Sequence, residues 1–160
     1  MVSLYAVRDH EHRKAVHGLE KMHFNLLAPQ RVSAYPYFWH VFRWYAVAET
    51  NNFFAASDID SRTGKLDMSQ LRFYHKQSET AETLAAKRSY AGRVYLDWAQ
   101  YPLVTESHFG DNTVVYFKDL RFDYPMMRGG RTLSLTVELN PDFHVVEEVM
   151  GERRQQPPVD

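Results

Sequence analysis

The stretch Tyr37-Phe38-Trp39-His40-Val41-Phe42-Arg43-Trp44-Tyr45-Ala46-Val47-Ala48-Glu49-Thr50 governs how the rest of the chain is read. Aromatic and β-branched residues fill it, and neither Gly nor Pro interrupts it, which predicts a strand over residues 37–50. Trp39, Val41, Tyr45 and Val47 fall on one face, and Phe42, Trp44, Ala46 and Ala48 on the other. With both faces apolar, this is expected to be the central strand, with apolar neighbours or an interface on either side. Asn51-Asn52 offers residues able to take positive φ, and Phe53 to Ile59 returns as a second strand, which makes a hairpin.

Upstream, residues 4–27 mix charges with Leu4, Val7, Val16, Leu19, Met22 and Leu26 at partly helical spacing. An N-terminal helix is expected over residues 1–28, weakened near Gly18 and ended by Ala28-Pro29, with Gln30 to Pro36 as an irregular connection. Downstream, Ser61 to Lys65 marks a turn at Gly64, and Leu66 to Tyr74 is a third candidate strand. Between Ser78 and Gln100 the period changes: Leu84, Ala91, Val94, Tyr95 and Trp98 form one stripe, with Glu79 and Glu82 near the start where the helix dipole favours anions. Pro102 stops this helix. Leu103 to Phe109 and Thr113 to Leu120 flank Gly110-Asp111-Asn112, a strong hairpin signal, and Asp123 to Arg131 is read as a loop. Leu133, Leu135, Val137 and Leu139 alternate with Ser134, Thr136, Glu138 and Asn140, giving one core face and one wet face before Asn140-Pro141-Asp142 turns the chain into Phe143 to Val149.

The order helix, hairpin, helix, hairpin, hairpin predicts an α+β fold. It is expected to be a curved antiparallel β-sheet of about five to six strands in hairpins, with the N-terminal helix and one central helix packed on one face. Residues 31–150 are read as a single α+β domain and residues 151–160 as a flexible polar tail. Trp98 of the central helix is expected to pack against the aromatic strand, so that the Trp39 to Trp44 rings lie beneath the Leu84 to Trp98 helix.

Composition narrows the function classes. Ten Phe, ten Tyr and three Trp among 160 residues point to a core built on large rings. Nineteen basic against 20 acidic residues leave a formal charge of -1, without the basic surplus that nucleic acid binding uses, so no nucleic acid is expected as a partner. The absence of Cys removes thiol catalysis, thiolate metal sites and disulfides. No run approaches the roughly 18 to 20 apolar residues that span a bilayer, so the chain as given is expected to be soluble.

Eight histidines invite a metal reading, above all Asp9-His10-Glu11-His12 with His17. On a helix, however, His10 and His17 lie about two turns apart and His12 points elsewhere, so neither gives the His-x-x-x-His pair that places two imidazoles on one ion; a solvated polar face is the plainer reading. His40 and Arg43 sit inside the aromatic strand, where a charge must not be buried unpaired. Asp119 or Glu49 are the carboxylates considered for Arg43, and Arg121 has the same need and the same candidates. Two readings stay open for His40, Arg43, Asp119 and Arg121: a concave sheet face holding an anionic ligand, or arginine–carboxylate pairs that fix strand register. No Gly-x-Ser-x-Gly elbow and no His-Glu-x-x-His helix is present, and Gly129-Gly130 beside Arg128 and Arg131 is only a weak phosphate-loop signal.

A family is similar to several of these stretches. Arg31 to Pro36, then Phe38 to Thr50 and Phe53-Phe54, resembles the region after the last membrane helix of the LexA-binding, inner membrane-associated hydrolases, also called membrane-bound metal-dependent hydrolases. Trp98 to Val104 looks like that family's helix-to-strand junction, and Val114 to Phe122 like its strand ending in Asp119-Leu120-Arg121-Phe122. The resemblance covers roughly Arg31 to Phe122. It implies a soluble C-terminal domain of a bacterial membrane-bound hydrolase, accessory to the chemistry and serving ligand binding, partner binding or stabilisation of the membrane half. The membrane half, which no segment here matches, is where the resemblance places the divalent metal; no cofactor is implied for this segment and no catalytic residue is carried over. It also implies association with the inner (cell) membrane in the parent protein, a juxtamembrane first helix, and the parent's own N-terminal membrane domain as partner. From the residues themselves come two alternatives: a stand-alone small hydrolase using His40, His75 or His108 beside Arg43 and Arg121, and a homodimer formed through the doubly apolar strand.

Overall fold

Pro36 and Trp44 face each other across a hairpin. In the computed structural model, which describes residues 2–124 and 133–151, β1 (Arg31–Pro36) pairs antiparallel with β2 (Arg43–Glu49), from Arg31 opposite Glu49 to Pro36 opposite Trp44. The aromatic stretch is therefore divided: residues 37–42 form the connection, and Phe38 and Trp39 are 81% and 84% exposed. The segment expected to be irregular, residues 30–36, is largely strand instead. Its proline is tolerated because β1 is an edge strand, where a missing N–H forfeits no ladder bond on the open side.

β3 (Phe53–Asp60) returns along β2. Neither Asn51 nor Asn52 takes the positive φ considered for them; Thr50 holds the turn, its N–H donating to the Phe53 carbonyl at 2.9 Å and its Oγ1 accepting from the Phe53 N–H at 3.1 Å. β4 (Lys65–Leu66) and β5 (Arg72–His75) both pair with β3 and complete a five-stranded antiparallel sheet. On one face lies α1 (Val2–Glu20), which runs unbroken through Gly18. A Cβ at Gly18 would stand 3.3 Å from the Gly64 Cα, so the glycine expected to weaken the helix instead lets it approach the β3–β4 turn. Ala15 and Leu19 pack on Ala34, Trp44, Ala46 and Ile59, and a neighbouring cluster joins Phe24 to Ala48, Phe53 and Ala55. Alanines along β2 and β3 keep that face shallow enough for a helix and its following turn to sit close.

The chain divides at His75–Lys76 into two compact units, and the second carries its own helices and sheet. The helix expected over residues 78–100 is two: α2 (Ala81–Arg88) and α3 (Tyr90–Trp98). Ser89, at φ -60° and ψ 164°, ends the first and caps the second, its Oγ accepting from the Gly92 N–H at 3.1 Å. Thr80 and Thr83 cap the start of α2 reciprocally. β6 (Pro102–Phe109), β7 (Asn112–Asp119), β8 (Ser134–Leu139) and β9 (Val145–Met150) form a four-stranded antiparallel sheet in that order, with Gly110 at φ +60° in the first hairpin turn. Ala86 and Tyr95 pack against Val115, Phe117, Leu135, Val137 and Leu139. Leu135, Val137 and Leu139 of the expected core face are thus in place, whereas Leu133 precedes β8 and is half exposed, and Ser134 and Thr136 of the expected wet face are buried on an interior strand.

Trp98 meets Tyr95 edge-on at 4.9 Å and Phe122 at 6.1 Å. It packs within its own unit, and the helix laid over Trp44 is α1 rather than the expected Leu84 to Trp98 helix. The class is α+β and antiparallel throughout, as element order implied, with the strands shared between sheets of five and four. Most of the Asp123 to Arg131 loop, including Gly129-Gly130, and residues 152–160 lie outside the described residues. Among the described residues no helix is long and apolar enough to cross a membrane.

Candidate functional site

The β1–β2 connection and the β3–β4 turn meet at one end of the five-stranded sheet and enclose a hollow of about 580 Å³. His40 and Phe42 line it from the connection, Arg43 from the start of β2, Asp58 and Asp60 from β3, and Arg62, Lys65 and Asp67 from the turn and beyond. Its size falls within the range of small-molecule sites.

Asp58 is buried in β3, where an unpaired carboxylate would be costly. It accepts from the Tyr37 hydroxyl at 2.5 Å and, through Oδ2, from Arg43 Nε at 2.8 Å and Nη2 at 2.7 Å. Arg43 therefore takes its carboxylate from the adjacent strand, two positions off its direct partner Asp60 and on the same face, and not from Asp119 or Glu49; Glu49 pairs with Arg31 at 2.8 Å. Arg43 Nη2 also lies 3.7 Å from Asp67, and the side chain stays 49% exposed.

The remaining carboxylates are held locally. Asp60 accepts from Arg62 Nε at 3.1 Å and Nη2 at 2.6 Å; that side-chain pairing, opposed by partial burial and helped by turn N–H groups, holds its carboxyl down at about 2. Arg62 also lies over the Phe42 ring, 5.1 Å from its centroid. Asp67 accepts from the Ser69 hydroxyl at 2.6 Å, and chiefly for that reason its carboxyl titrates below the usual range. Lys65 is exposed and, among the described residues, has no ion pair.

Asp119 and Arg121 are arranged differently. Asp119, with a fully buried side chain, accepts from the N–H groups of Gln100 at 2.9 Å, Tyr101 at 3.3 Å and Arg121 at 3.0 Å, and from Arg121 Nε at 2.8 Å. Arg121 donates onward to the Trp98 carbonyl at 3.0 Å and lies over the Trp98 and Phe122 rings. This cluster ties the end of α3 to the start of β6 and the end of β7. Close by, burial, with the Asp119 charge adding to it, pushes the Tyr95 hydroxyl well above its ordinary range, and that hydroxyl donates to the Leu133 carbonyl. So His40 and Arg43 share a hollow, while Asp119 and Arg121 are spent on each other and on backbone.

The other histidines are dispersed. His12 packs on Trp44 with ring centroids 5.2 Å apart, His17 lies 3.6 Å from Glu20, His75 lies beside Phe53, and His108 Nδ1 is 3.0 Å from the hydroxyl of its cross-strand partner Thr113. Glu11, within the cluster considered for a metal, is buried and accepts from the Ser61 hydroxyl at 2.5 Å. Among the described residues no three His, Asp or Glu side chains are grouped to hold a metal ion. The residues of the hollow that sequence reading did not single out, Asp58, Asp60, Arg62, Lys65 and Asp67, had one signal: Asp58 inside Ala55-Ala56-Ser57-Asp58-Ile59, a carboxylate in a strand that must find a cation.

No family model, no curated protein and no solved structure matches this chain.

Proposed function

We propose that this chain is the accessory, ligand-binding part of a membrane-associated metal-dependent hydrolase, and that it takes an anionic ligand in the hollow beside His40 and Arg43. The hydrolytic metal belongs, in this reading, to a membrane half that is also the partner of the chain. The likeness of residues 31–122 to the membrane-bound metal-dependent hydrolases supports the parentage. Exposed Phe38 and Trp39, edge-to-face at 4.6 Å, give the same end of the sheet an apolar surface for that partner.

One observation carries the ligand. A guanidinium has five N–H donors, and the Asp58 carboxylate engages only Nε and Nη2 of Arg43 on a side chain that lines the hollow half-exposed. Lys65 adds a positive charge without an ion pair of its own, whereas Asp58, Asp60 and Asp67 each already accept from a neighbour. An entering phosphate or carboxylate would meet unspent donors and little uncompensated negative charge.

Calorimetric titration with inorganic phosphate tests this. Saturable binding is expected, weakened about tenfold in Arg43→Lys, because lysine keeps a charge for Asp58 but loses the planar fork. The thermal midpoint should stay within a few degrees. Equal affinity in the variant, or no saturable binding, removes the hollow as an anion site; turnover of an activated ester by the chain alone removes the accessory assignment.

A further inference from the structure

We propose that the turn Phe24–Leu27 is an apolar wedge by which this chain seats on an anionic lipid surface. This stands apart from the anion hollow: of the residues argued for each, only Lys65 lines both. Phe24 and Leu27 exchange both backbone hydrogen bonds, at 2.8 and 2.9 Å, so that Asn25 and Leu26 form a two-residue turn with φ of 48° and 67°. Such a turn takes Asn readily at its first position and favours Gly at its second. A leucine there is strained, since its Cβ crowds the backbone at positive φ. Nothing within the described chain offsets that strain: the Leu26 side chain is 94% exposed. A large apolar residue held out at a strained turn tip is explained by an apolar medium outside the chain.

The surroundings of the wedge name the medium. Leu27 is 39% and Met68 72% exposed, and a hollow of about 440 Å³, lined largely by apolar side chains such as Met22, Phe24 and Phe73, begins beside Asn25. Among the described residues, the charged or titratable ones lining it are Lys65 and His23, and Lys21 adjoins the lining Met22 in sequence. None of these three has an ion pair among the described residues. The nearest carboxylates in sequence have neighbours of their own, Glu20 lying 3.6 Å from the His17 ring and Asp67 accepting from the Ser69 hydroxyl. Apolar side chains at the tip with the unpaired lysines Lys21 and Lys65 around them match the boundary between acyl chains and anionic headgroups. A protein groove for a neutral apolar helix would not call for lysines without ion pairs at its rim.

Co-sedimentation with vesicles of phosphatidylcholine, with and without phosphatidylglycerol as the minor lipid, tests the assignment on the whole chain. Binding is expected only with phosphatidylglycerol and should weaken with salt. Leu26→Asn should lower it about tenfold, the effect of withdrawing one leucine side chain from an apolar phase, and Lys21→Gln about fivefold. Because asparagine accepts positive φ, Leu26→Asn should melt at or above the wild-type temperature, so lost binding cannot be lost folding. Its phosphate titration should be unchanged, which separates failure here from failure of the anion hollow. Absent vesicle binding, equal binding to phosphatidylcholine alone, or indifference to Leu26→Asn would each overturn the proposal. Self-association that Leu26→Asn abolishes without any vesicle binding would overturn it too, by making a second copy the occupant.

Discussion

Two buried aspartates, each beside an arginine, show how the same pair of residue types serves different ends. Asp119 spends its carboxylate on three backbone N–H groups and Arg121, and its side chain is fully buried; Asp58 spends its own on Tyr37 and an Arg43 that still opens onto a hollow. Asp119→Ala would strand those donors and Arg121 together, so it should cost about 3 to 5 kcal/mol in urea unfolding. A loss below about 1 kcal/mol would mean that the cluster is not holding the α3 to β6 junction. Glu11 gives a pH dependence. The Ser61 hydrogen bond lowers its carboxyl below the usual 4.5, burial opposes this, and Lys14 adds to the lowering. A depressed folded value means that Glu11 stabilises the fold above its unfolded value and that this contribution is lost as pH falls through the folded one. Glu11→Gln should therefore melt lower than wild type at neutral pH, and its melting temperature should fall less than that of wild type from about pH 5 downward. Parallel pH profiles would contradict this. Arg43's need for a carboxylate was legible at this scale because a charge in an apolar run demands a partner, whereas His40, expected inside the strand, lies exposed in the connection; which carboxylate Arg43 takes was not legible, since Asp58 becomes its neighbour only through the β2–β3 register.

Among the elements, those set by a turn residue or a clean period were readable, and those set by tertiary neighbours were not. Gly110 and the alternation of Leu135, Val137 and Leu139 named the later strands correctly. Residues 37–42 were misread because strand propensity cannot tell a strand from a connection that needs exposed rings, and Pro36 because an edge strand tolerates it. Ser89 was missed for a related reason: the helical period continues across it, whereas its extended backbone re-aims α3. Gly92 is where that break becomes testable. A Cβ there would stand 2.0 Å from the Ala86 carbonyl oxygen, backbone that cannot swing aside. Gly92→Ala, which in an ordinary helix stabilises, should here destabilise by about 1 to 3 kcal/mol. Ser89→Ala removes only the cap on the Gly92 N–H and should cost about 1 kcal/mol. If thermal denaturation ranks the two the other way, α2 and α3 do not approach as closely at this break.

For the whole molecule, element order was enough to name the class, yet it could not apportion the strands. Periodicity reports which face of a strand is apolar; it does not report which sheet the strand joins, and β5 joins its sheet by pairing with β3 rather than with anything next to it in sequence. The boundary at His75–Lys76 was equally silent, because residues 76–80 carry neither proline nor glycine and sit between a strand and a helix cap without a shift in composition. Their backbone is what sets them apart. They belong to no helix or strand, Gln77, Ser78 and Glu79 are exposed, and the regular structure on either side is held by sheet ladders and capped helices. Proteases cut where several consecutive residues can leave the fold without breaking such ladders. Limited digestion with a glutamate-specific protease should therefore make its first cut among the described residues at Glu79, parting residues 1–79 from the second unit. Glu106 and Glu138 are protected by lying within β6 and β8. Mass spectrometry of the early products checks this, and a first internal cut at Glu49 or Glu106 would mean that a sheet opens more readily than the segment between the two units.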